Sequence, residues 1–221
     1  MPVIIESLQL PLSAMADFDD ARTFWDARFA APGYIFGTEP NQFLAREAVR
    51  LAAGARVLDI ACGEGRNAVW LAGQGCDVTG FDVSPIALEK AERLAVEKQV
   101  QVRWHRADVR TWTWAPAAFD AIACIFIQFA SPAERTRLFE GFRETLAPGG
   151  LVLLQGYTPK QLEYRTGGPG ELSHLYTEAM LREAFGGWDI LLLREYEADL
   201  AEGTKHVGRS ALIELVARRP V

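Results

Sequence analysis

The sequence predicts an α/β protein built on a mainly parallel sheet that ends in an antiparallel hairpin. From Val57 onward, short β-type apolar runs alternate with stretches whose apolar residues recur at helical spacing. This alternation is typical of parallel strands joined by crossover helices. Near the C-terminus, two β-rich runs, Trp188–Tyr196 and Ser210–Ala217, are joined by a polar segment that contains glycine. Because no helix separates them, we expect a hairpin and an antiparallel end to the sheet.

Five further runs are the candidate strands of the parallel part. Each is short, rich in apolar residues and separated from the next by a helical or turn-forming stretch, as parallel strands require. They are Val57–Ile60, Asp77–Phe81, Val100–Trp104, Ala121–Ile127 and Leu151–Gln155. With the hairpin, they make seven strands.

Four helices are expected between and after these strands. Two of them begin with a serine followed by a proline, which is the pattern of an N-cap and an N1 proline. One of these two ends in Ala147-Pro148-Gly149-Gly150, where proline stops the helix and glycine supplies a turn. The predicted helices are Arg66–Gln74, Pro85–Lys98, Pro132–Leu146 and, approximately, Thr177–Phe185.

The region before Val57 is rich in aromatic residues and is expected to be helical in part. A chain of 221 residues with 49% hydrophobic residues is long enough to bury a core, and one domain is the default at this length. We therefore expect a single domain over residues 1–221. It consists of an aromatic cap segment, residues 1–50, and a core of alternating strands and helices, residues 51–221.

Charge and cysteine content narrow the classes of function. The chain has 23 Lys and Arg against 29 Asp and Glu, a formal net charge of −6, which disfavours binding to a phosphate backbone. Its three cysteines form no CxxC pair, which fits a reducing compartment. Met1–Leu12 lacks the basic start of a signal peptide, and the apolar runs are too short to span a membrane. We expect a soluble, cytoplasmic protein without nucleic-acid or membrane partners; monomer and homodimer remain open.

A glycine-rich loop follows the first candidate strand. In residues 57–68, V-L-D-I-A-C-G-E-G-R-N-A, a strand passes through a tight turn into a helix. Gly63, Gly65 and Ala68 match the pattern G-x-G-x-x-G/A, in which glycines let the backbone approach a nucleotide. Asp82 lies 17 residues beyond Gly65, near the offset of an acid that binds ribose. This pattern alone allows NAD, another nucleotide-containing ligand or a purely structural turn.

The acidic residues around the loop distinguish between these ligands. Asp59 precedes the turn and Glu64 lies within it. Both would repel the pyrophosphate that a dinucleotide places at a helix N-terminus. S-adenosylmethionine has no phosphate and carries an ammonium and a sulfonium, for which carboxylates are favourable partners. The sequence therefore favours S-adenosylmethionine over NAD.

Two aspartates at strand ends are the expected contacts of the nucleoside. Asp82 ends the second strand and is placed to accept hydrogen bonds from both ribose hydroxyls; the alternative is a cap for the next helix. Asp108 follows the third strand, where it could accept from the adenine amino group while Val109 offers its backbone N–H to the ring. The alternative for Asp108 is a solvated turn residue.

These segments resemble the class I S-adenosylmethionine-dependent methyltransferases. Residues 146–150, L-A-P-G-G, are similar to the family's L-x-P-G-G turn, and the resemblance covers about Val57 to Ala217. It implies a doubly wound, Rossmann-like sheet of seven strands with helices on both faces and an antiparallel last strand. The expected cofactor contacts are Asp59, Ala61, Gly63, Gly65, Asp82, Val83, Asp108, Val109 and Ile125.

One branch of that family is more similar than the rest. Residues 24–26, F-W-D, and 34–41, Y-I-F-G-T-E-P-N, resemble the tellurite-resistance and thiopurine-type methyltransferases. In that branch such a segment lies over the cofactor and helps to close the site, which makes Tyr34 and Phe36 candidate substrate contacts. An aromatic helix that only packs on the sheet would have a similar sequence. The branch favours an acceptor with sulfur, selenium or tellurium.

Further candidates for the acceptor side lie after the strands. Gln128 follows the fourth strand and Tyr157 the fifth. Arg165, in a glycine-rich loop, either binds an anionic substrate or is simply solvated. His206, between the last two strands, is either a general base or a hairpin residue without a catalytic role. The sequence has no metal-binding motif, and we expect no metal.

The predicted function is methyl transfer from S-adenosylmethionine to a small-molecule acceptor. For a thiol, selenol or tellurium acceptor a general base is optional, whereas an oxygen or nitrogen acceptor usually needs a base or a metal. O- or N-methylation of a small metabolite, with His206 as the base, is the alternative. A dinucleotide-dependent oxidoreductase and a non-catalytic ligand-binding protein are the alternatives from other classes.

Overall fold

The computed structural model describes residues 12–221, with side chains from Asp20 onward. The expectation that Met1–Leu12 is not a signal peptide therefore concerns residues that, apart from the backbone of Leu12, lie outside the described ones. Across the described range, no helix combines the length and the apolar character needed to cross a membrane.

The sheet comprises β1 (Arg56–Ile60), β2 (Asp77–Asp82), β3 (Arg103–Arg106), β4 (Phe119–Ile125), β5 (Leu146–Tyr157), β6 (Asp189–Glu202) and β7 (His206–Arg218). Their order across the sheet is β3-β2-β1-β4-β5-β7-β6. The pairs among β1 to β5 are parallel, whereas β7 is antiparallel to both β5 and β6. The predicted doubly wound sheet with an antiparallel C-terminal hairpin is thus confirmed.

The helices are α1 (Leu12–Phe29), α2 (Gln42–Glu47), α3 (Arg66–Gly73), α4 (Pro85–Glu97), α5 (Pro132–Thr145), α6 (Gln161–Tyr164) and α7 (Glu178–Ala184). Short 3₁₀ turns cover 48–50 and 172–174. The predicted N-caps form: the Ser84 side chain accepts from the N–H of Ala87, and Ser131 makes a reciprocal capping box with Glu134. These caps fix where α4 and α5 begin.

Both faces of the sheet are covered by helices. On one face, Phe142 of α5, Leu181 of α7 and Phe185, directly after α7, are buried against the sheet. On the other face, Leu71 of α3 and Leu94 of α4 are fully buried. Burying one such side chain contributes about 1.5–3 kcal/mol, so these stripes hold the helices in place.

Several predicted element bounds were wrong, among them those of the fourth and fifth strands, which span Phe119–Ile125 and Leu146–Tyr157. The third strand was expected at Val100–Trp104 but spans Arg103–Arg106, because the N–H of Val100 bonds to Ala95 O and continues the end of α4. The third predicted helix ends at Thr145, because Leu146 already pairs with Phe119 as a strand residue. Apolar residues at such junctions suit either element, so the pattern could not separate them.

The order in which consecutive strands are added to the sheet reverses between β1 and β4. β2 and β3 lie on one side of β1, and β4 and β5 lie on the other. Open α/β sheets bind ligands at the carboxyl ends of the strands at such a switch point. The loops after Ile60 and Ile125 therefore mark the expected site.

Candidate active site

A cavity of about 650 Å³ lies at the carboxyl ends of β1, β2, β4 and β5. Its wall includes α1, the glycine loop, the loops after β3 and β4, and the start of β7. Most predicted site residues line it, while Tyr34, Gly65 and Arg165 do not. Those that line it are Phe36, Asp59, Ala61, Gly63, Asp82, Val83, Asp108, Val109, Ile125, Gln128, Tyr157 and His206.

Strained backbone flanks the switch point. Ala61, directly after β1, has φ +48°, and Phe126, directly after β4, has φ +57°. Side chains other than glycine rarely adopt this left-handed conformation, which costs about 1–3 kcal/mol and clusters at functional sites. Both strained residues line the cavity. The strain therefore marks this edge of the sheet as a functional one.

Gly65 packs two helices together instead of lining the cavity. Its φ is +84°, and a Cβ there would lie 2.6 Å from Ala91 Cβ and 2.9 Å from the Trp104 ring. Ala91 belongs to α4, so the glycine lets α3 and α4 approach each other. The structure thus gives Gly65 a packing role.

Asp82 ends β2 and faces the turn. Its Oδ2 accepts a hydrogen bond from Gly63 N at 2.9 Å, and its Oδ1 accepts one from Ser84 N at 2.9 Å. Burial raises the pKa of Asp82 to about 6, against the opposing effect of these backbone N–H groups. Each carboxylate oxygen keeps acceptor capacity for one further donor, such as a hydroxyl.

Asp59 is a buried carboxylate with an unused oxygen. It is 2% exposed, and its Oδ2 has no hydrogen-bond partner among the described residues. Burial raises its pKa to about 7, although Ala68 N–H and Arg66 lower it. Because buried polar atoms are almost always paired, this oxygen indicates a donor that the described residues do not supply.

Glu64 does not act as the charge argument expected. Its Oε1 accepts from Lys90 Nζ at 2.8 Å and its Oε2 from Ile35 N at 2.8 Å. The buried Lys90 ammonium therefore balances its charge, and the side chain anchors the backbone after Tyr34. The interpretation of Glu64 as a free negative charge was therefore wrong. The sequence did not reveal the pairing, because Lys90 on α4 lies 26 residues from Glu64. Asp59 and Asp82 carry the remaining acidic character.

Asp108 is held by a residue that the sequence analysis missed. Its Oδ1 accepts from Arg110 N at 2.8 Å and Nε at 2.9 Å, and its Oδ2 accepts from Nη2 at 2.6 Å. The pair fixes the orientation of a carboxylate that is 6% exposed. The spacing D-x-R after a strand is the signal that could have identified Arg110.

Gln128 supports the cavity wall. Its Nε2 donates to Tyr157 O at 2.9 Å and His174 O at 3.1 Å, and its Oε1 accepts from Tyr157 N. The amide group is therefore used for tying the end of β5 to the loop at His174. Gln128 is 4% exposed and shapes the site through Tyr157.

His206 lies among aromatic rings. Its ring centroid is 4.6 Å from Phe36, 4.4 Å from Phe126 and 6.0 Å from Tyr157. Burial lowers the pKa of His206, so the imidazole is neutral near pH 7. A neutral imidazole beside the cavity can accept a proton.

The two other substrate candidates lie elsewhere. Tyr34 donates its hydroxyl to Lys90 O at 3.1 Å, which fastens the cap segment to α4. Arg165 is exposed at the end of α6 with φ +54°. Sequence reasoning also missed Arg28 of α1, Phe126 and Lys205, which line the cavity. Only long-range packing brings these three to the same site.

Comparison with known proteins is consistent with this geometry. A family profile described as a methyltransferase domain matches residues 57–150. Thiopurine S-methyltransferase of Pseudomonas putida is 30% identical over 217 residues, covering 88% of this chain and 97% of that protein. Hemagglutinin 1 of Eikenella corrodens is 26% identical over 178 residues, 79% of this chain and 58% of that protein. The chain spans about half the length of several other curated relatives that it matches.

A solved structure supports the fold assignment. It is described by the conversion of a disulfide bond into a thioacetal group during echinomycin biosynthesis. It superposes with a TM-score of 0.74 at 20% identity and covers 90% of this chain and 92% of its own. With the near full-length likeness to the thiopurine enzyme, this shows that the chain belongs to the class I S-adenosylmethionine-dependent methyltransferases.

Proposed function

We propose that this chain transfers a methyl group from S-adenosylmethionine to a small-molecule acceptor whose reacting atom is sulfur, selenium or tellurium. The observation that carries the proposal is the pair of buried carboxylates at the glycine turn, Asp59 and Asp82. Asp59 has an oxygen without a hydrogen-bond partner in the described part of the chain, and Asp82 keeps acceptor capacity on both oxygens. A cationic nucleoside with a ribose supplies the matching donors.

The residues present fit the cofactor part by part. Asp82 would hold the ribose hydroxyls and Asp59 the ammonium, while Asp108 and Val109 would receive the adenine. When bound, S-adenosylmethionine supplies a methyl carbon that is activated by its sulfonium leaving group. The same carboxylates would repel the pyrophosphate of NAD, which argues against the dinucleotide alternative.

The part of the cavity in which the methyl acceptor would bind suits a soft, polarisable reacting atom. Phe36, Phe126, Tyr157 and His206 form an aromatic wall beside the glycine turn. Sulfur in contact with aromatic rings gains about 0.3–1.5 kcal/mol, and such a wall also excludes water. Similarity to a thiopurine S-methyltransferase supports the same choice. The chain's part is then to align the acceptor and keep the site dry.

O- or N-methylation of a small metabolite is the second candidate. It is favoured by one observation, the neutral and largely buried His206 that lines the cavity. An acceptor hydroxyl or amine needs a base to remove its proton, and this imidazole is the candidate.

The setting proposed for this activity follows from composition. Cys62, Cys76 and Cys124 are all free thiols, which suits the reducing cytoplasm. We propose one domain over residues 1–221, with residues 1–50 as a cap over the core, acting on small molecules and not on nucleic acid. The net charge of −6 supports the last point.

The proposal is tested by following release of S-adenosylhomocysteine over a panel of acceptors. The panel contains alkyl and aryl thiols, selenite, tellurite, phenols and amines. We expect turnover with at least one sulfur, selenium or tellurium compound and a slower or absent reaction with phenols and amines. Turnover with phenols or amines alone would establish the second candidate. Tight cofactor binding without turnover on any acceptor would contradict catalysis.

A further inference from the structure

A buried ion pair between Glu202 and Arg66 lies next to His206, at the turn of the hairpin. Glu202 is the last residue of β6 and His206 the first of β7, and the two face each other as a cross-strand pair. Glu202 Oε2 lies 3.6 Å from His206 Nδ1 and 2.7 Å from Arg66 Nη2. The side chains of Glu202 and Arg66 are each 8% exposed. This carboxylate thus touches both the acceptor side and the helix that follows the glycine loop.

Glu202 is ionised and held in place from two sides. Asn41 Nδ2 donates to its Oε1 at 3.1 Å, while Arg66 also donates to Phe36 O at 3.1 Å. Although burial raises it, the neighbouring His206 and Arg66 leave the pKa of Glu202 below its usual value. A fixed negative charge therefore faces one edge of the imidazole.

The edge of His206 that faces this charge carries the Nδ1 atom. Nδ1 is buried and makes no hydrogen bond among the described residues, because 3.6 Å is too long for one. Catalytic hydrogen bonds are often long before ligands bind and shorten afterwards. A movement of less than about 1 Å would bring Nδ1–H within hydrogen-bond distance of Oε2.

We infer that Glu202 is a positioning residue that holds His206 in its Nδ1–H tautomer, so that Nε2 can take the proton of the methyl acceptor. The inference rests on the proposed function and adds a role for a residue outside the predicted site. The acceptor's S–H bond breaks, its electron pair stays on sulfur, and the proton joins the Nε2 lone pair. The resulting imidazolium is stabilised by the Glu202 carboxylate.

Other charged groups around His206 act against this stabilisation. Arg66 of α3 and Arg28 of α1 both disfavour the imidazolium, as does burial. Tyr157 of β5 faces the ring with a buried hydroxyl whose pKa is raised by burial, so it stays neutral. Lys205 precedes His206 in the turn and lines the cavity. Glu202 is the negative group of this set, so its removal should lower the pKa of His206.

The test compares two thiols that differ in whether they carry a proton. An alkyl thiol is protonated near pH 7, whereas an electron-poor aryl thiol is already a thiolate. Glu202→Gln keeps the shape of the side chain and removes its charge. Asp199→Asn, on the exposed part of the same strand, is the matched control. Glu202→Asp keeps the charge on a shorter stem.

We expect Glu202→Gln to lower kcat/KM for the alkyl thiol by about 10- to 100-fold at pH 7. The acid limb of the pH profile of kcat/KM for this thiol should move to lower pH. The aryl thiol should react within about twofold of the parent rate, and Asp199→Asn should behave as the parent with both. In Glu202→Asp the acid limb should stay in place while the alkyl thiol slows.

An NMR titration of His206 keeps the test independent of turnover. The pKa of His206 should be lower in Glu202→Gln than in the parent protein. Equal losses for both thiols, or an unmoved acid limb and an unchanged His206 pKa, would overturn the inference. A parent protein that methylates neither thiol nor any other acceptor of the panel would instead overturn the proposed function on which it rests.

Discussion

Asp59 and Asp82 lie on neighbouring strands, and burial raises the pKa of both, to about 7 and about 6. A buried carboxylate without a counter-ion is unfavourable in the free protein, and a bound cation relieves this. The protein therefore gives up stability of the free state at these two residues in favour of ligand binding. This is a residue-level property, and single substitutions test it.

The first prediction concerns the pH dependence of cofactor binding. An ammonium pairs with Asp59 only when the carboxyl is ionised, and its folded-state pKa is about 7. Affinity for S-adenosylhomocysteine should therefore rise as pH increases from about 5 to 7, with at most a tenfold gain per unit for each carboxyl. Asp59→Asn should weaken binding and flatten this slope. Calorimetry at several pH values measures it, and identical slopes for parent and variant would refute the assignment.

The second prediction concerns the ribose contact. Asp82→Ala should weaken S-adenosylhomocysteine binding by on the order of 1.5–3 kcal/mol for each charge-assisted hydrogen bond lost. Asp77→Ala is the matched control, because Asp77 begins the same strand and pairs with Arg103 at the surface. Its dissociation constant should equal that of the parent. An unaltered constant in Asp82→Ala would contradict the ribose role.

At the scale of single residues, the sequence predicted the positions of side chains that lie at strand ends. Asp59, Asp82 and Asp108 were predicted to face the cofactor and do line the cavity, because local strand, turn and helix patterns determine where they lie. Glu202 and Arg66 escaped prediction because they are 136 residues apart and meet only in the folded chain. No local pattern encodes such a contact.

At the scale of the elements, the cap segment and the hairpin turn pack directly against each other. The backbone of residues 35–37 lies between the glycine loop and the turn at Gly203. Glu64 accepts from Ile35 N, and Thr204 N donates to Ile35 O at 2.8 Å. A Cβ on Gly203 would lie 2.4 Å from Gly37 N. The three segments therefore close one end of the cavity together.

The third prediction follows from this close packing. Gly203→Ala introduces a Cβ at φ +61° against backbone, whereas Gly187→Ala does so at φ +82° with nothing within 4 Å. Both variants incur the left-handed backbone cost of about 1–2 kcal/mol. Gly203→Ala should lower the free energy of unfolding by about 1–3 kcal/mol more, since it also overpacks the contact. Urea titration measures the difference. Equal losses in the two variants would show that the contact does not constrain the cap.

The element predictions succeeded where spacing and capping agreed. The Ser-Pro starts of α4 and α5 and the glycine turn before α3 appear where expected. The hairpin strands are longer than predicted, Asp189–Glu202 and His206–Arg218, because continuous pairing carries polar residues to the turn. Pairing partners decide such lengths, and a single strand's pattern does not contain them.

At the scale of the whole molecule, the strand order determines where the candidate active site lies. Crossover connections set β1 and β4 side by side with their ends open, and the strained residues Ala61 and Phe126 mark that gap. The antiparallel hairpin then brings His206 from the far end of the chain to the same edge. The alternation of strands and helices predicted this fold class, whereas only the folded chain shows which distant residues meet.

The most direct test of the account is an equilibrium titration of the purified protein with S-adenosylhomocysteine and, separately, with NADH. The buried carboxylates Asp59 and Asp82 predict binding of S-adenosylhomocysteine, which carries an ammonium and no phosphate, at one site, weakened in Asp82→Ala and retained in Asp77→Ala, and no binding of NADH. Binding of NADH with no response to S-adenosylhomocysteine would contradict the central claim.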